Sequence, residues 1–85
     1  MTYQVIWSEK SRKNLDALDK ATSSRIIAKV ESIKEEPLMY VKRLQGVKLY
    51  SLRVGEYRAI LDIEKQKIVI FVVKVGLRNA VYDDV

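Results

Sequence analysis

Residues 47–75 read VKLYSLRVGEYRAILDIEKQKIVIFVVKV, and this stretch decides the fold. Its apolar residues recur with a period of two, which is the spacing of side chains along a β-strand. Gly55-Glu56 is the kind of two-residue turn that joins antiparallel strands. The stretch therefore predicts a meander of three antiparallel strands, at Val47 to Val54, Tyr57 to Glu64 and Lys67 to Val75.

The N-terminal part predicts one more strand and a first helix. Thr2 to Trp7 (TYQVIW) is rich in β-branched and aromatic residues, which favour a strand. Ser8 follows, and its hydroxyl is suited to accept a hydrogen bond from the first turn of a helix. We therefore expect a helix from Ser8 to about Leu18, with Leu15 and Leu18 on its packed face.

A second helix is expected before the single proline, Pro37. It should begin near Thr22 or Ser23 and end before Pro37, because the residue that precedes a proline disfavours the helical conformation. The residues spaced to form its apolar face are Ile26, Ile27, Val30 and Ile33. The two helices together predict a helical hairpin.

The predicted order is βααβββ, an α+β fold formed by one domain over residues 1–85. The helices should pack on one face of the sheet, since an apolar sheet face needs a cover. The last strand is apolar on both faces, and Val69, Phe71 and Val73 form one of them. This second apolar face leaves two interpretations open: the sheet coils and closes on itself, or a partner covers the face.

Composition excludes several kinds of chemistry. The chain has no cysteine and no histidine, which removes disulfides, thiolate chemistry and the commonest metal ligand, so we expect neither a metal nor a cofactor. The first residues lack the features of a signal peptide, and no stretch approaches the roughly 18 apolar residues of a membrane span. We therefore expect a soluble, cytoplasmic protein with no membrane partner. Its net charge of +5 favours anionic partners such as nucleic acid.

The positive charge is concentrated before and within the meander. Residues 37–58 contain five basic residues, Lys42, Arg43, Lys48, Arg53 and Arg58, against one acidic residue. Alternation places Ser51 and Arg53 on the strand face opposite the apolar residues, and Arg58 begins the neighbouring strand beside them. A lone arginine here is usually just solvated, but a cluster of like charges favours binding to phosphates.

Three runs of sequence carry a resemblance to a known family: Arg43 to Gly46 (RLQG), Tyr50 to Arg58 (YSLRVGEYR) and Phe71 to Arg78 (FVVKVGLR). In this order and spacing the chain resembles, over nearly all of its length, the RelE toxins of bacterial and archaeal toxin–antitoxin modules. The resemblance implies a metal-independent endoribonuclease that cleaves messenger RNA in the ribosomal A site and inhibits translation. The ribose 2′-hydroxyl would attack the adjacent phosphate, leaving a cyclic phosphate and a free 5′-hydroxyl.

The resemblance also implies roles for individual residues and partners. Residues with catalytic roles would be Arg53, Arg58, Arg78 and Tyr82, and residues that bind RNA would be Lys42, Arg43, Lys48, Ser51 and Lys74. The implied partners are a RelB-like antitoxin, the ribosome and messenger RNA, with operator DNA bound only indirectly through the antitoxin.

The general base is left unassigned. The best-known members of the family have lysines where this chain has Ser51 and Arg53, and neither a hydroxyl nor a guanidinium is an ordinary base at neutral pH. Lys42, Lys74, another group or the ribosome itself remain candidates for that role.

Two alternative functions remain open at this stage. One is a ParE-like toxin that poisons DNA gyrase and needs no residues for RNA cleavage. The other is a non-catalytic RNA-binding module that uses the same basic face.

Overall fold

The structure is a computed structural model and describes residues 1–81. Its helices and strands are β1 (Gln4–Trp7), α1 (Glu9–Asp16), α2 (Lys20–Ser32), a 3₁₀ turn (Pro37–Met39), β2 (Lys42–Arg43), β3 (Tyr50–Val54), β4 (Tyr57–Glu64) and β5 (Val69–Leu77). The strands form one sheet in the order β1-β5-β4-β3-β2, in which β1 runs parallel to β5 and all other neighbours are antiparallel. The predicted α+β class, with a strand, a helical hairpin and then a meander, is confirmed.

The hairpin of β3 and β4 turns at Gly55, as predicted. Gly55 has φ +61°, a left-handed conformation that only glycine adopts without strain. A glycine with positive φ at the first central position is typical of the two-residue turns that match the twist of paired strands. The turn therefore fixes the register in which Arg53 lies directly opposite Arg58.

The two helices cover one face of the sheet and form the core with it. Leu15 of α1 and Ile26, Val30 and Ile33 at α2 are buried against inward residues of the meander. The main inward residues are Leu52, Val54, Ala59, Leu61, Ile63, Ile70, Val72 and Val75. Ile27, predicted to share the apolar face of α2, is 40% exposed, because it lies one position around the helix from the buried stripe.

The α2 helix begins earlier than predicted. It starts at Lys20 with Asp19 as its N-cap, whereas the sequence pattern favoured Thr22 or Ser23. The carboxylate of Asp19 accepts hydrogen bonds from the backbone N–H of Thr22 (3.1 Å) and from its hydroxyl (2.6 Å). The predicted start was wrong because Thr22 stabilises the cap from inside the helix, where it donates to Asp19.

The α1 helix replaces β1 as the neighbour of β5 where β1 ends. The backbone N–H of Ser8 donates to the carbonyl of Val72 (3.1 Å), and its hydroxyl donates to the carbonyl of Val73 (2.7 Å). The side-chain oxygen of Asn14 then accepts from the N–H of Val75 (3.0 Å). Ser8 also caps α1 as predicted, by accepting from the N–H of Ser11. The edge of β5 beyond β1 is therefore paired with polar groups of the helix.

The structure contains one strand that the sequence pattern did not predict and shifts the ends of three others, of which β1 starts at Gln4 and not at Thr2. Lys42 and Arg43 form the two-residue β2 against β3, whose own first residue is Tyr50 and not Val47. A loop closes between them through a hydrogen bond from the N–H of Leu44 to the carbonyl of Leu49 (2.9 Å). The last strand starts at Val69, two residues later than predicted, and runs two residues further, to Leu77.

The second face of the sheet is partly covered within the described residues. Val69, Phe71 and Val73 are half-buried, so this face is neither fully closed nor fully exposed in residues 1–81. None of the helices in this part of the chain is long and apolar enough to cross a membrane.

Candidate functional site

The sheet face that the helices leave uncovered, here called the open face, carries two rows of residues across the strands. In one row Arg53 pairs with Arg58, and Arg58 pairs with Gly76. In the next row Lys42, Ser51, Ile60 and Lys74 follow one another across β2 to β5. Residues directly opposite each other on antiparallel strands have Cβ atoms about 5 Å apart, so the residues of each row are direct neighbours.

Arg58 is the central residue of the open face. It is half-buried, and its Nη1 donates a hydrogen bond to the hydroxyl oxygen of Ser51 (3.2 Å). Ser51 is only 2% exposed, so it anchors the guanidinium from below. A guanidinium has five N–H donors in a planar fork, which suits the oxygens of a phosphate. This arrangement can hold an anion on the open face beside Ser51.

Arg53 lies opposite Arg58 and reaches the edge of the sheet. Its Nε donates to the carbonyl of Gly55 (3.3 Å), and the side chain is exposed. It lines a groove of about 440 Å³ with two cations of α2, Arg25 and Lys29. The groove lies at the edge of β3, because β2 pairs only with Tyr50 and Ser51. Arg53 thus joins the open face to a second basic surface.

Arg78 follows β5 at the same end of the sheet. Its backbone N–H donates to the carbonyl of Glu56 (2.9 Å), and its exposed side chain lines a shallow cavity of about 240 Å³. The chain then reverses, since the N–H of Val81 donates to the carbonyl of Leu77 (2.9 Å). Val81 is buried, and a Cβ on Gly76 would lie 3.4 Å from it. Tyr82, expected to act with these arginines, lies outside the described residues.

The two lysines in the second row differ in their surroundings. Lys42 is exposed at the outer strand of the sheet, directly opposite Ser51. Lys74 is 6% exposed and is separated from Ser51 by Ile60, which is completely buried. Lys42 is therefore the more accessible lysine of this row.

Arg43 and Lys48, expected to bind RNA, do not lie with the residues of the open face. The guanidinium carbon of Arg43 stands 5.8 Å from the ring centroid of Tyr50, and its Nε donates to the carbonyl of Val47 (3.4 Å). Arg43 and Lys48 line a separate cavity of about 520 Å³ with Tyr50 and Ile63. Since Tyr50 packs against the core, this cavity opens on the other side of the sheet.

The comparisons with known proteins identify the family. Residues 5–82 match the family model described as the ParE toxin of the type II toxin–antitoxin system parDE. A RelE-like toxin protein of Escherichia coli is 30% identical over 82 residues, which cover 93% of this chain and 86% of that protein. The chain belongs to the RelE/ParE superfamily of type II toxins.

Solved structures agree with this assignment. The archaeal RelE–RelB complex from Pyrococcus horikoshii contains a chain that is 30% identical, with a TM-score of 0.78, over 92% of this toxin and 97% of that chain. A RelBE toxin–antitoxin complex from Mycobacterium tuberculosis gives a TM-score of 0.86 over 92% of the toxin and 93% of that chain, at 22% identity. A mutant of the Escherichia coli toxin RelE, solved in the free state, gives a TM-score of 0.78 at 26% identity and covers 95% and 88% of the two chains.

Two residues of the toxin's basic surface were missed by sequence reasoning. Arg25 and Lys29 lie four residues apart on α2, and they meet Arg53 at the groove. Their spacing places them on one side of the helix, which is a signal available in the sequence. What the sequence does not show is that this side of α2 borders the edge of β3.

Proposed function

We propose that this toxin is a ribosome-dependent endoribonuclease that cleaves messenger RNA in the ribosomal A site and so inhibits translation. The observation that carries the proposal is the position of Arg58. Its guanidinium is anchored to a buried hydroxyl at the centre of the uncovered face, directly opposite a second arginine. Such an arrangement holds a phosphate in one place and meets the negative charge that develops on it.

The reaction fits the chemistry of the open face. The ribose 2′-hydroxyl attacks the adjacent phosphorus, and the crowded phosphate gains charge on its non-bridging oxygens in the transition state. Arg58 stabilises that charge, with Arg53 and Arg78 near the same end of the sheet. Tyr82 is proposed to donate a proton or to stack on a base, as the resemblance implies.

A RelB-like antitoxin is the proposed regulatory partner. The related toxins of Mycobacterium tuberculosis and Pyrococcus horikoshii were solved as complexes with their antitoxins. The net charge of +5 and the half-buried apolar residues of the open face favour an acidic, helix-forming segment. Operator DNA would then be bound by the antitoxin and not by this chain.

Primer extension on translated message tests the proposal. Purified toxin added to translating ribosomes is expected to cut the message within codons in the A site, and Arg58→Ala is expected to slow the cutting about 100- to 1,000-fold. Arg12→Ala is the matched control, because it removes the same charge from an exposed position on α1. Intact message after treatment with the wild-type toxin would refute the proposal.

A ParE-like poison of DNA gyrase is the second candidate. It is favoured by the match to the ParE family model and by Ser51 and Arg53, which stand where the best-known RNA-cleaving members have lysines. A gyrase supercoiling assay with the same preparation separates the two functions. Inhibited supercoiling together with an intact message would favour this candidate.

A further inference from the structure

We infer that Lys42 is the residue that accepts the proton of the attacking 2′-hydroxyl, an inference that rests on the proposed RNA cleavage. That step needs a base next to the phosphate held by Arg58. Ser51 and Arg53 are close to that phosphate but do not accept a proton at neutral pH. The amine must therefore come from another part of the open face.

The orientation of Lys42 is fixed by its neighbour in β2. Arg43 pairs with Tyr50 and lies over its ring on the other side of the sheet. Successive residues of a strand point to opposite faces, so Lys42 points to the open face. Its direct partner there is Ser51, the residue that anchors Arg58.

The pairing of Lys42 with Ser51 places the lysine beside the residue that anchors Arg58. The Cβ atoms of Lys42 and Ser51 are about 5 Å apart in such a pair. The flexible four-carbon stem of lysine can carry the amine across Ser51 to the Nη1 of Arg58, which lies 3.2 Å from the Ser51 hydroxyl. A ribose whose phosphate lies on Arg58 therefore has its 2′-oxygen within reach of Lys42.

Other groups of the open face are less well placed. Lys74 lies in the same row but is 6% exposed, and the buried Ile60 separates it from Ser51. Asp62 lies two residues beyond Ile60 on β4, further from Arg58, and pairs with Phe71. Lys48 lines the separate cavity beside Arg43. Lys42 is the exposed amine that pairs directly with Ser51, the residue that anchors Arg58.

The 2′-hydroxyl proton passes to the amine of Lys42, the bond between the 2′-oxygen and phosphorus forms, and the bond between phosphorus and the 5′-oxygen breaks. The leaving 5′-oxygen takes a proton from water. The products are a 2′,3′-cyclic phosphate, a free 5′-hydroxyl and the ammonium form of Lys42, which later returns its proton to water.

The test is single-turnover cleavage by Lys42→Arg and Lys42→Gln on programmed ribosomes. Both variants are expected to lose about 100- to 10,000-fold in rate, because neither side chain accepts a proton. Binding of the toxin to the ribosome should remain within about threefold of wild type for Lys42→Arg, which keeps the charge. Lys67→Arg and Lys67→Gln, at an exposed position in the loop before β5, are matched controls that should cleave normally.

A pH profile distinguishes a base from a structural lysine. The polar and charged groups that share the open face with Lys42 are Ser51 and Arg53 from β3, Arg58, Asp62 and Glu64 from β4, and Lys74 from β5. The logarithm of the wild-type rate should rise with pH, because a base must be deprotonated before it can accept the 2′-hydroxyl proton. This slope should disappear in Lys42→Gln and return, with part of the rate, when ethylamine is added.

The outcomes separate this inference from the function on which it rests. If wild type does not cleave the message, the proposed function fails first. If wild type cleaves and Lys42→Arg cleaves within about threefold of it, charge alone suffices and Lys42 is not the base. A large loss in both variants with rescue by ethylamine supports the inference.

Discussion

The hydroxyl of Ser51 holds the guanidinium of Arg58 in place on the open face. It accepts a hydrogen bond from Arg58 at 3.2 Å and is itself almost completely buried. We expect Ser51→Ala to lower the rate of message cleavage about tenfold, because a hydrogen bond to a charged group is worth about 1.5–3 kcal/mol and its loss frees the guanidinium. Single-turnover cleavage measures this, with the exposed Ser24→Ala as the control. An unchanged rate would show that Arg58 needs no anchor.

Part of this residue-level picture could be predicted from the sequence. Strand alternation and the Gly55-Glu56 turn place Arg53 and Arg58 side by side, and the structure pairs them directly. The anchoring of Arg58 by Ser51 was not predictable, because the hydrogen bond runs diagonally between the two rows and depends on the rotamer of a long side chain.

At the scale of the helices, the caps explain both a correct and a wrong prediction. Ser8 caps α1 as expected, but α2 begins at Lys20, after the cap Asp19, and not near Thr22 or Ser23 as predicted. Short polar residues in succession offer several caps, and the sequence does not rank them. The β2 strand was missed because two residues are too few to show a period. It nevertheless determines where Lys42 lies.

The Asp19 cap makes the stability of α2 depend on pH. Hydrogen bonds from the side chain and the backbone of Thr22 hold the pKa of the Asp19 carboxyl below its usual value. A depressed folded-state pKa contributes stability above the unfolded pKa, and that contribution is lost as the pH falls through the folded value. The melting temperatures of Asp19→Asn and wild type should therefore differ less at pH 3 than at pH 7, because asparagine caps a helix without titrating. An equal difference at both values would contradict this account.

The junction of α1 and β5 depends on a single side chain. The Ser8 hydroxyl donates to the carbonyl of Val73 and accepts from the N–H of Ser11. We expect Ser8→Ala to reduce the free energy of unfolding by about 1–3 kcal/mol, because it removes a helix cap and leaves a strand carbonyl without this donor. Urea denaturation measures the change, and Ser24→Ala in the exposed part of α2 should be nearly neutral. A loss below about 0.5 kcal/mol would show that water replaces the hydroxyl.

At the scale of the whole molecule, the basic surface predicts how binding responds to salt. We consider the case in which Arg53, Arg58 and Arg78 contact three phosphates of single-stranded RNA. A plot of the logarithm of the binding constant against the logarithm of the salt concentration should then have a slope of about −2. Arg58→Ala should make the slope smaller by about 0.7, the share of one phosphate contact. Fluorescence anisotropy with an uncleavable oligonucleotide measures both slopes. A slope near zero would exclude direct phosphate binding by the open face.

The pairing of β1 with β5 has a consequence for when the toxin becomes folded during its own synthesis. Ser8 bonds to Val73 across 65 residues, and three core residues, Ile70, Val72 and Val75, belong to the last strand. A nascent chain that ends at Glu64 lacks β5. It therefore lacks both the strand that pairs with β1 and the strand that α1 packs beside. Chains emerge from the ribosome N-terminus first, so such a chain waits with its apolar N-terminal strand unpaired until β5 is made. A chain that stops before β5 cannot close the sheet, so the toxin can fold only after β5 has been made.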